Sequence, residues 1–348
     1  MFGEILETFR ARGLFGACAV GAVEDGEILP PELCGELPPV AEGGPPAPLS
    51  PDALFDCASL TKSVATAASA LVALQEGRTS LDERIADRLP ELRTPWRDEI
   101  VLRHLLTHTL DYRISLSSLK ELSEGEILER ILTFRFAKRP GESYLYCNAT
   151  SLLLGLWLER LEGAPLDRIA QERVFGPLGM ARSTFYPRSI APLDLIAPSE
   201  VDAWREGEVR GVVHDESAYA LRGRGPAGSA GLFSSIGDLQ IFMREWLLAS
   251  EGKGRLFSRE TAELVDRNWI PELGDAGLGF ERNQRAWMGD CLSGSRIGKT
   301  GFTGCSIVLD FGKRRALALL SNSMWPKRKP RAEVDALRRA CAVRFFGD

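Results

Sequence analysis

The apolar positions follow two different regimes along the chain. Residues 3–12 carry the spacing of a short amphipathic helix. Residues 14–29 alternate apolar and small side chains around Asp25-Gly26, a turn signal between two strands. Residues 30–51 hold eight of the chain's 20 prolines and read as an extended surface loop. From residue 59 the period changes. Residues 59–76 are rich in alanine and leucine and stop at Gly77, which predicts a helix with glycine just past its end. Ser80-Leu-Asp-Glu83 has the form of a capping box opening a further turn. Helices are also predicted over 100–108, 123–134, 149–162 and 235–250. Then strands return. Residues 305–310 and 315–321 are apolar runs joined by Gly312-Lys313-Arg314, a hairpin signal, and a last helix covers about 330–345.

Strands near both ends with helices between them predict one sheet built from the two end segments, with the helical part packed against it. The expected class is α+β: a mainly antiparallel sheet flanked by helices, with an inserted all-helical domain. The whole of 1–348 reads as one catalytic domain, with 1–60 and 285–348 in the sheet part and 61–284 in the helical part. An active site is expected in the cleft between them.

Composition narrows the function. With 44% hydrophobic and 26% charged residues the chain has the profile of a soluble globular protein. Its net charge of −5 lacks the clustered basic excess of a nucleic-acid binder. Lys327-Arg328-Lys329 with Arg331 is short, is interrupted by Pro330, and reads as a solvated face. No apolar run approaches the roughly 18 residues of a membrane span, so no membrane partner is expected. Glu4, Glu7, Arg10 and Arg12 do not fit a secretory leader, which makes a cytoplasmic location the default expectation. The seven cysteines are scattered, odd in number and without a C-x-x-C pair, so free thiols are expected. Three histidines, His104, His108 and His214, are thin material for a metal cluster. Neither metal nor cofactor is expected.

Three short motifs carry chemistry. In Ser59-Leu60-Thr61-Lys62, serine and lysine three apart at a helix start share one face. A serine hydroxyl becomes a useful nucleophile when a neighbour takes its proton, and a helix start leaves N–H groups free to hold an oxyanion. In Tyr146-Cys147-Asn148, a phenol near ammonium groups ionises more easily and can act as base, while the asparagine can orient a substrate amide. In Lys299-Thr300-Gly301, with Gly298 and Gly304 around it, backbone can approach a ligand closely, and the lysine can hold an anionic group. Each motif alone fits ordinary structural use: an N-cap serine with a solvated lysine, a buried tyrosine, a glycine-rich bend.

Order and spacing add what the single motifs lack. Together they resemble the superfamily of serine β-lactamases, penicillin-binding proteins and related esterases, which runs S-x-x-K, Y-x-N, then K-T-G or H-T-G. Phe55-Asp-Cys-Ala-Ser59-Leu-Thr-Lys62, Leu105-Leu-Thr-His-Thr109, Pro140-Gly-Glu-Ser-Tyr-Leu-Tyr146-Cys-Asn148 and Ala230-Gly-Leu-Phe-Ser-Ser235 followed by Asp238-Leu239 resemble further family text. The resemblance runs from about residue 14 to about residue 345, is class C β-lactamase-like in its tyrosine, a feature shared with related esterases, and implies the family's fold. It also implies roles: Ser59 as acylated nucleophile, Lys62 as proton shuttle, Tyr146 as general base, and Asn148 on the substrate amide. By the same resemblance Lys299, Thr300 and Gly301 would line the far wall against the substrate, and the N–H groups of Ser59 and Phe302 would form the oxyanion hole.

Departures from the family text qualify this. His108-Thr109-Leu110-Asp111 replaces the usual H-T-S-G, and no S-D-N element is present. Lysine in the K-T-G tilts the reading toward a carboxylate-bearing substrate, whereas Met324, where some class C enzymes have an asparagine for that carboxylate, pulls the other way. Val213-His214-Asp215-Glu216 has a metal-like composition but reads as structural or substrate-loop sequence, and Cys57 and Cys147 read as small buried packers. The expected protein is a cofactor-free serine hydrolase working through acyl-Ser59 on a small ester, amide or β-lactam, with an esterase as the leading variant. The alternatives are a penicillin-binding or sensor-type protein acylated with little turnover, and a D-amino-acid peptidase.

Overall fold

The computed structural model describes every residue except Glu42, Ser293 and Asp348. Its strands, in chain order, are β1 (Ala17–Glu24), β2 (Glu27–Ile28), β3 (Glu32–Leu37), β4 (Ala47–Pro48) and β5 (Phe55–Asp56). There follow β6 (Glu200–Asp202), β7 (Gly207–Val209), β8 (Phe233–Ser234), β9 (Glu281–Arg282), β10 (Ile297–Thr300), β11 (Ser306–Asp310) and β12 (Arg315–Ser321). The main sheet has the order β4-β3-β1-β12-β11-β10-β9, with β2 as a hairpin partner of β1, and all its pairings are antiparallel. The sheet therefore combines the two end segments of the chain, as the strand pattern predicts.

Alternation explains why β1 and β12 read as unbroken apolar runs. Ala17, Ala19 and Val23 of β1, with Ala316, Ala318 and Leu320 of β12, enter one buried layer. Cys18, Val20, Ala22, Leu317 and Leu319 enter another. Successive strand residues point to opposite faces, and here both faces are covered. Helix Ile236–Ser250 packs on β1 and β12 over the first layer, which continues into the helical part through Trp157 and Trp246. Helices Gly3–Ala11 and Arg331–Phe346 close the second.

Two local expectations fail. Residues 30–51 are not all loop, since β3 and β4 lie within them. The prolines flank β3, and Pro48 sits in β4 at the sheet edge, where a missing N–H breaks no interior ladder. Ser80 does not cap a helix. Thr79 Oγ1 donates to Glu83 instead (2.8 Å), and the next helix, Ile85–Arg88, starts after Arg84. The other predicted helices are present as Leu102–Leu106, Glu124–Leu132, Asn148–Glu162 and Ile236–Ser250. Ser123 and Ser235 accept from the backbone as N-caps of the second and fourth. Among the described residues, no helix is long and apolar enough to cross a membrane.

Candidate active site

The chain enters the site through a strained turn. Ala58 has a left-handed backbone (φ 45°), a conformation that costs a non-glycine residue about 1–3 kcal/mol and needs its surroundings to hold it. The buried carboxylate of Asp56 does so, accepting from the N–H groups of Ala58 (2.7 Å) and His214 (2.6 Å). Burial raises the Asp56 pKa, against the two N–H donors and His214. Thr61 ties the same turn to the strand beyond, donating to Ala58 O (2.6 Å) and accepting from Leu232 N–H (3.0 Å).

Ser59 opens the helical segment that the alanine-leucine pattern predicts. The segment is tight over Ala58–Leu60, widened over Lys62–Ala67 and α-helical over Ala68–Gln75. Widened turns of this kind occur often at functional sites. Lys62, one turn after Ser59 and buried, donates to Ser59 Oγ (2.8 Å) and to the carbonyl of Ser229 (2.7 Å).

Tyr146 faces this pair. Its segment is aligned by hydrogen bonds from Gly141 N–H to Thr109 O and from Leu145 N–H to His108 O, both 2.9 Å. The ring packs on His108 (centroids 4.8 Å apart), and the ammonium groups of Lys299 and Lys62 lie 4.1 Å and 5.3 Å from its centre. Burial opposes ionisation of the phenol, but Lys299, then Lys62, outweigh it. Glu281 works against them and a hydrogen bond with Ser59 works with them; the net effect lowers the Tyr146 pKa. His108 is pushed well below the usual histidine range by burial and by the same two lysines, so it is neutral at pH 7.

The far wall is β10. Thr300 ends it, half-buried and paired with Ser306. At Gly301 a Cβ would lie 2.4 Å from the carbonyl oxygen of Cys57, so the wall approaches the turn that carries Ser59 closely enough to exclude any side chain. Gly304 has φ +118° and no room for a Cβ beside Ser321. Gly301→Ala is expected to lower stability by about 1–3 kcal/mol, since the clash is with backbone, and to cut turnover as well. Denaturant melts and ester assays of the same preparation check both. Phe302 leaves its side chain 52% exposed, between the His214 ring and the Arg328 guanidinium. Among the described residues, its N–H has no backbone partner in a turn or loop, and the same is true of Ser59.

A sequence model of the β-lactamase family matches residues 4–341. The chain belongs to the β-lactamase family. A protein of Escherichia coli strain K12 named "Putative D-alanyl-D-alanine carboxypeptidase" is 30% identical over 300 residues, which span 77% of this chain and 69% of that protein. The fold is similar to that of an octameric penicillin-binding protein homologue from Pyrococcus abyssi, with TM-score 0.75, 20% identity, and coverage of 100% of this chain and 78% of that one. It is also similar to EstCE1, a hydrolase with promiscuous acyltransferase activity, with TM-score 0.73, 20% identity and 96% of each chain covered.

Within this β-lactamase-family site, Ser59, Lys62, Tyr146 and Lys299 meet as the motif order predicts. Asn148 lies beside them but gives its amide N–H to Asp215 (2.9 Å). The His214-Asp215-Glu216 run splits three ways. His214 pairs with Glu200 (2.7 Å) and stacks on Phe302, Asp215 holds Asn148 and caps helix Glu216–Ala220, and Glu216 pairs with Arg328 (2.6 Å). The run thus braces the site from behind. Lys299 is buried and forms an ion pair with Glu281, which holds it charged against the cost of burial. Glu281 carries no motif signal; strand pairing opposite Gly298 brings it there. Asp56 was visible only as motif text, and its bracing role needs the distant N–H of His214.

Proposed function

We propose that this protein is a serine acyl hydrolase that forms an acyl-Ser59 intermediate on small esters or amides. One observation carries the reading: a single buried ammonium, Lys62, bridges Ser59 Oγ and Ser229 O, on the side of the serine that also faces Tyr146. In this mechanism Ser59 Oγ attacks the acyl carbonyl while its proton passes to the Tyr146 phenolate, with Lys62 orienting the exchange. The N–H groups of Ser59 and Phe302 hold the oxyanion. Tyr146 then returns the proton to the departing alcohol or amine. Water repeats the sequence on the acyl-enzyme, giving up its proton to Tyr146 and freeing Ser59 and the acid.

A neutral ester or amide is the favoured substrate. Lys299, which would otherwise recognise a carboxylate, is neutralised by Glu281, and Met324 is buried in the core. The 30%-identical relative supports a second reading, a D-alanyl carboxypeptidase. Steady-state assays with p-nitrophenyl acetate, nitrocefin and a peptide ending in D-Ala-D-Ala test both. Sustained turnover of the ester is the expected result. Stoichiometric acylation without turnover would replace the hydrolase with a sensor-type protein.

A further inference from the structure

Charge accounting at the far wall goes beyond the family motifs. Glu281 and Lys299 sit on neighbouring strands in the register Gly298↔Glu281, and their side chains form an ion pair with the ammonium 3% and the carboxylate 16% exposed. Arg282, beside Glu281, turns away to Asp275 and Asp266. Among the described residues, Lys299 is thus the basic side chain that Glu281 pairs with, and Glu281 is the carboxylate that Lys299 pairs with. A charge that is paired and desolvated has little left for an incoming anion, whereas an unpaired ammonium in the same place would bind one strongly.

We propose that Glu281 is a specificity-determining residue of the acyl-transfer site. By holding the Lys299 ammonium it keeps the far wall neutral and directs the site to substrates whose leaving group is uncharged. This rests on the acyl-Ser59 reading above. Specificity is a difference between two affinities and is often set by what a site refuses. Here the refusal comes from a carboxylate already seated where a substrate carboxylate would go. The pair has a second consequence. Tyr146 is faced by Lys62, Lys299, Glu281, His108, Tyr144 and Ser59. Of these, Glu281 opposes phenolate formation, so its neutralisation favours the phenolate at lower pH.

The test uses a matched pair of thioesters, S-acetylthioglycolate and S-acetylthioglycolamide, which share the acyl group and differ in the charge of the leaving thiol. The wild type is expected to prefer the amide in kcat/KM. Glu281→Gln is expected to raise the carboxylate-to-amide ratio by about 10- to 100-fold, the worth of one charge-assisted hydrogen bond. It should also move the acidic limb of the pH profile to lower pH. Glu281→Asp, which keeps the charge, should stay near the wild-type ratio. Glu281→Gln combined with Lys299→Met should lose the gain, because the freed ammonium is what binds the anion. An unchanged ratio in Glu281→Gln overturns the assignment. So does a gain that persists without Lys299, since Glu281 would then act by simple repulsion. A wild type that turns over neither thioester overturns the acyl-transfer reading and this one with it, whereas turnover of both with an unaltered ratio removes Glu281 alone.

Discussion

Ser59→Ala is expected to lower turnover of any accepted ester on the order of 10⁴-fold or more, and to abolish covalent labelling. Losing a nucleophile removes the whole covalent path and leaves only what positioned donors and binding contribute. Among the described residues, the neighbouring serine and threonine hydroxyls are bonded elsewhere or fully buried. Ser63 gives its proton to Gly279 O (2.6 Å), Thr61 gives its own to Ala58 O, and Ser229 is fully buried. Among the described residues, Ser59 is the one whose hydroxyl accepts a hydrogen bond from the Lys62 ammonium, whose other acceptor is the backbone carbonyl of Ser229. The substitution removes one half-buried oxygen, so the fold should persist and a melting curve should be nearly unchanged. Mass spectrometry after exposure to a fluorophosphonate should find one adduct, on Ser59, in the wild type. An adduct of undiminished yield in the alanine protein would remove Ser59 from its role.

Tyr146→Phe carries the second large effect, a loss of about 10²- to 10⁴-fold in kcat/KM, the usual contribution of a positioned general base. Phenylalanine keeps the ring against His108, so structure and base are separated cleanly. The pH dependence gives the sharper check. The Tyr146 pKa is lowered from the ordinary tyrosine value, so the active phenolate forms at lower pH than in a free tyrosine, and activity rises with pH through that lowered pKa. Lys299 is the strongest influence lowering it, so Lys299→Ala raises the Tyr146 pKa and should shift the acidic limb upward. In Tyr146→Phe that limb should vanish, because nothing remains to titrate there. A limb that survives in the phenylalanine protein would assign the base to another group.

How much of this was legible beforehand differs from residue to residue. The Ser59–Lys62 pair follows from helix geometry alone: three residues along a helical turn put two side chains on one face wherever the helix sits. The strand pattern likewise predicts β1, β11 and β12, because a period of two reports burial locally. The proline-rich stretch misled for a matching reason. Whether such a segment is loop or edge strand depends on a neighbour to pair with, and β1 supplies one 15 or so residues earlier in the chain. The cap expected at Ser80 failed because Thr79 competed for Glu83.

What the sequence alone determined is therefore the family, the sheet-plus-helices class and the identity of the chemical groups, all encoded in short-range spacing. What only the tertiary structure decided is which partners outside the motifs hold those groups. The carbonyl that anchors Lys62 comes from Ser229, 167 residues away, and the N–H that completes the brace at Asp56 comes from His214, 158 residues away. Asn148 finds its amide partner 67 residues on, in Asp215. The charge of Lys299 is cancelled across two antiparallel strands by a glutamate that no motif marks. Periodicity tells which face a side chain takes, but the electrostatic state of a buried group depends on what is packed opposite, and that is fixed by strand register and loop closure.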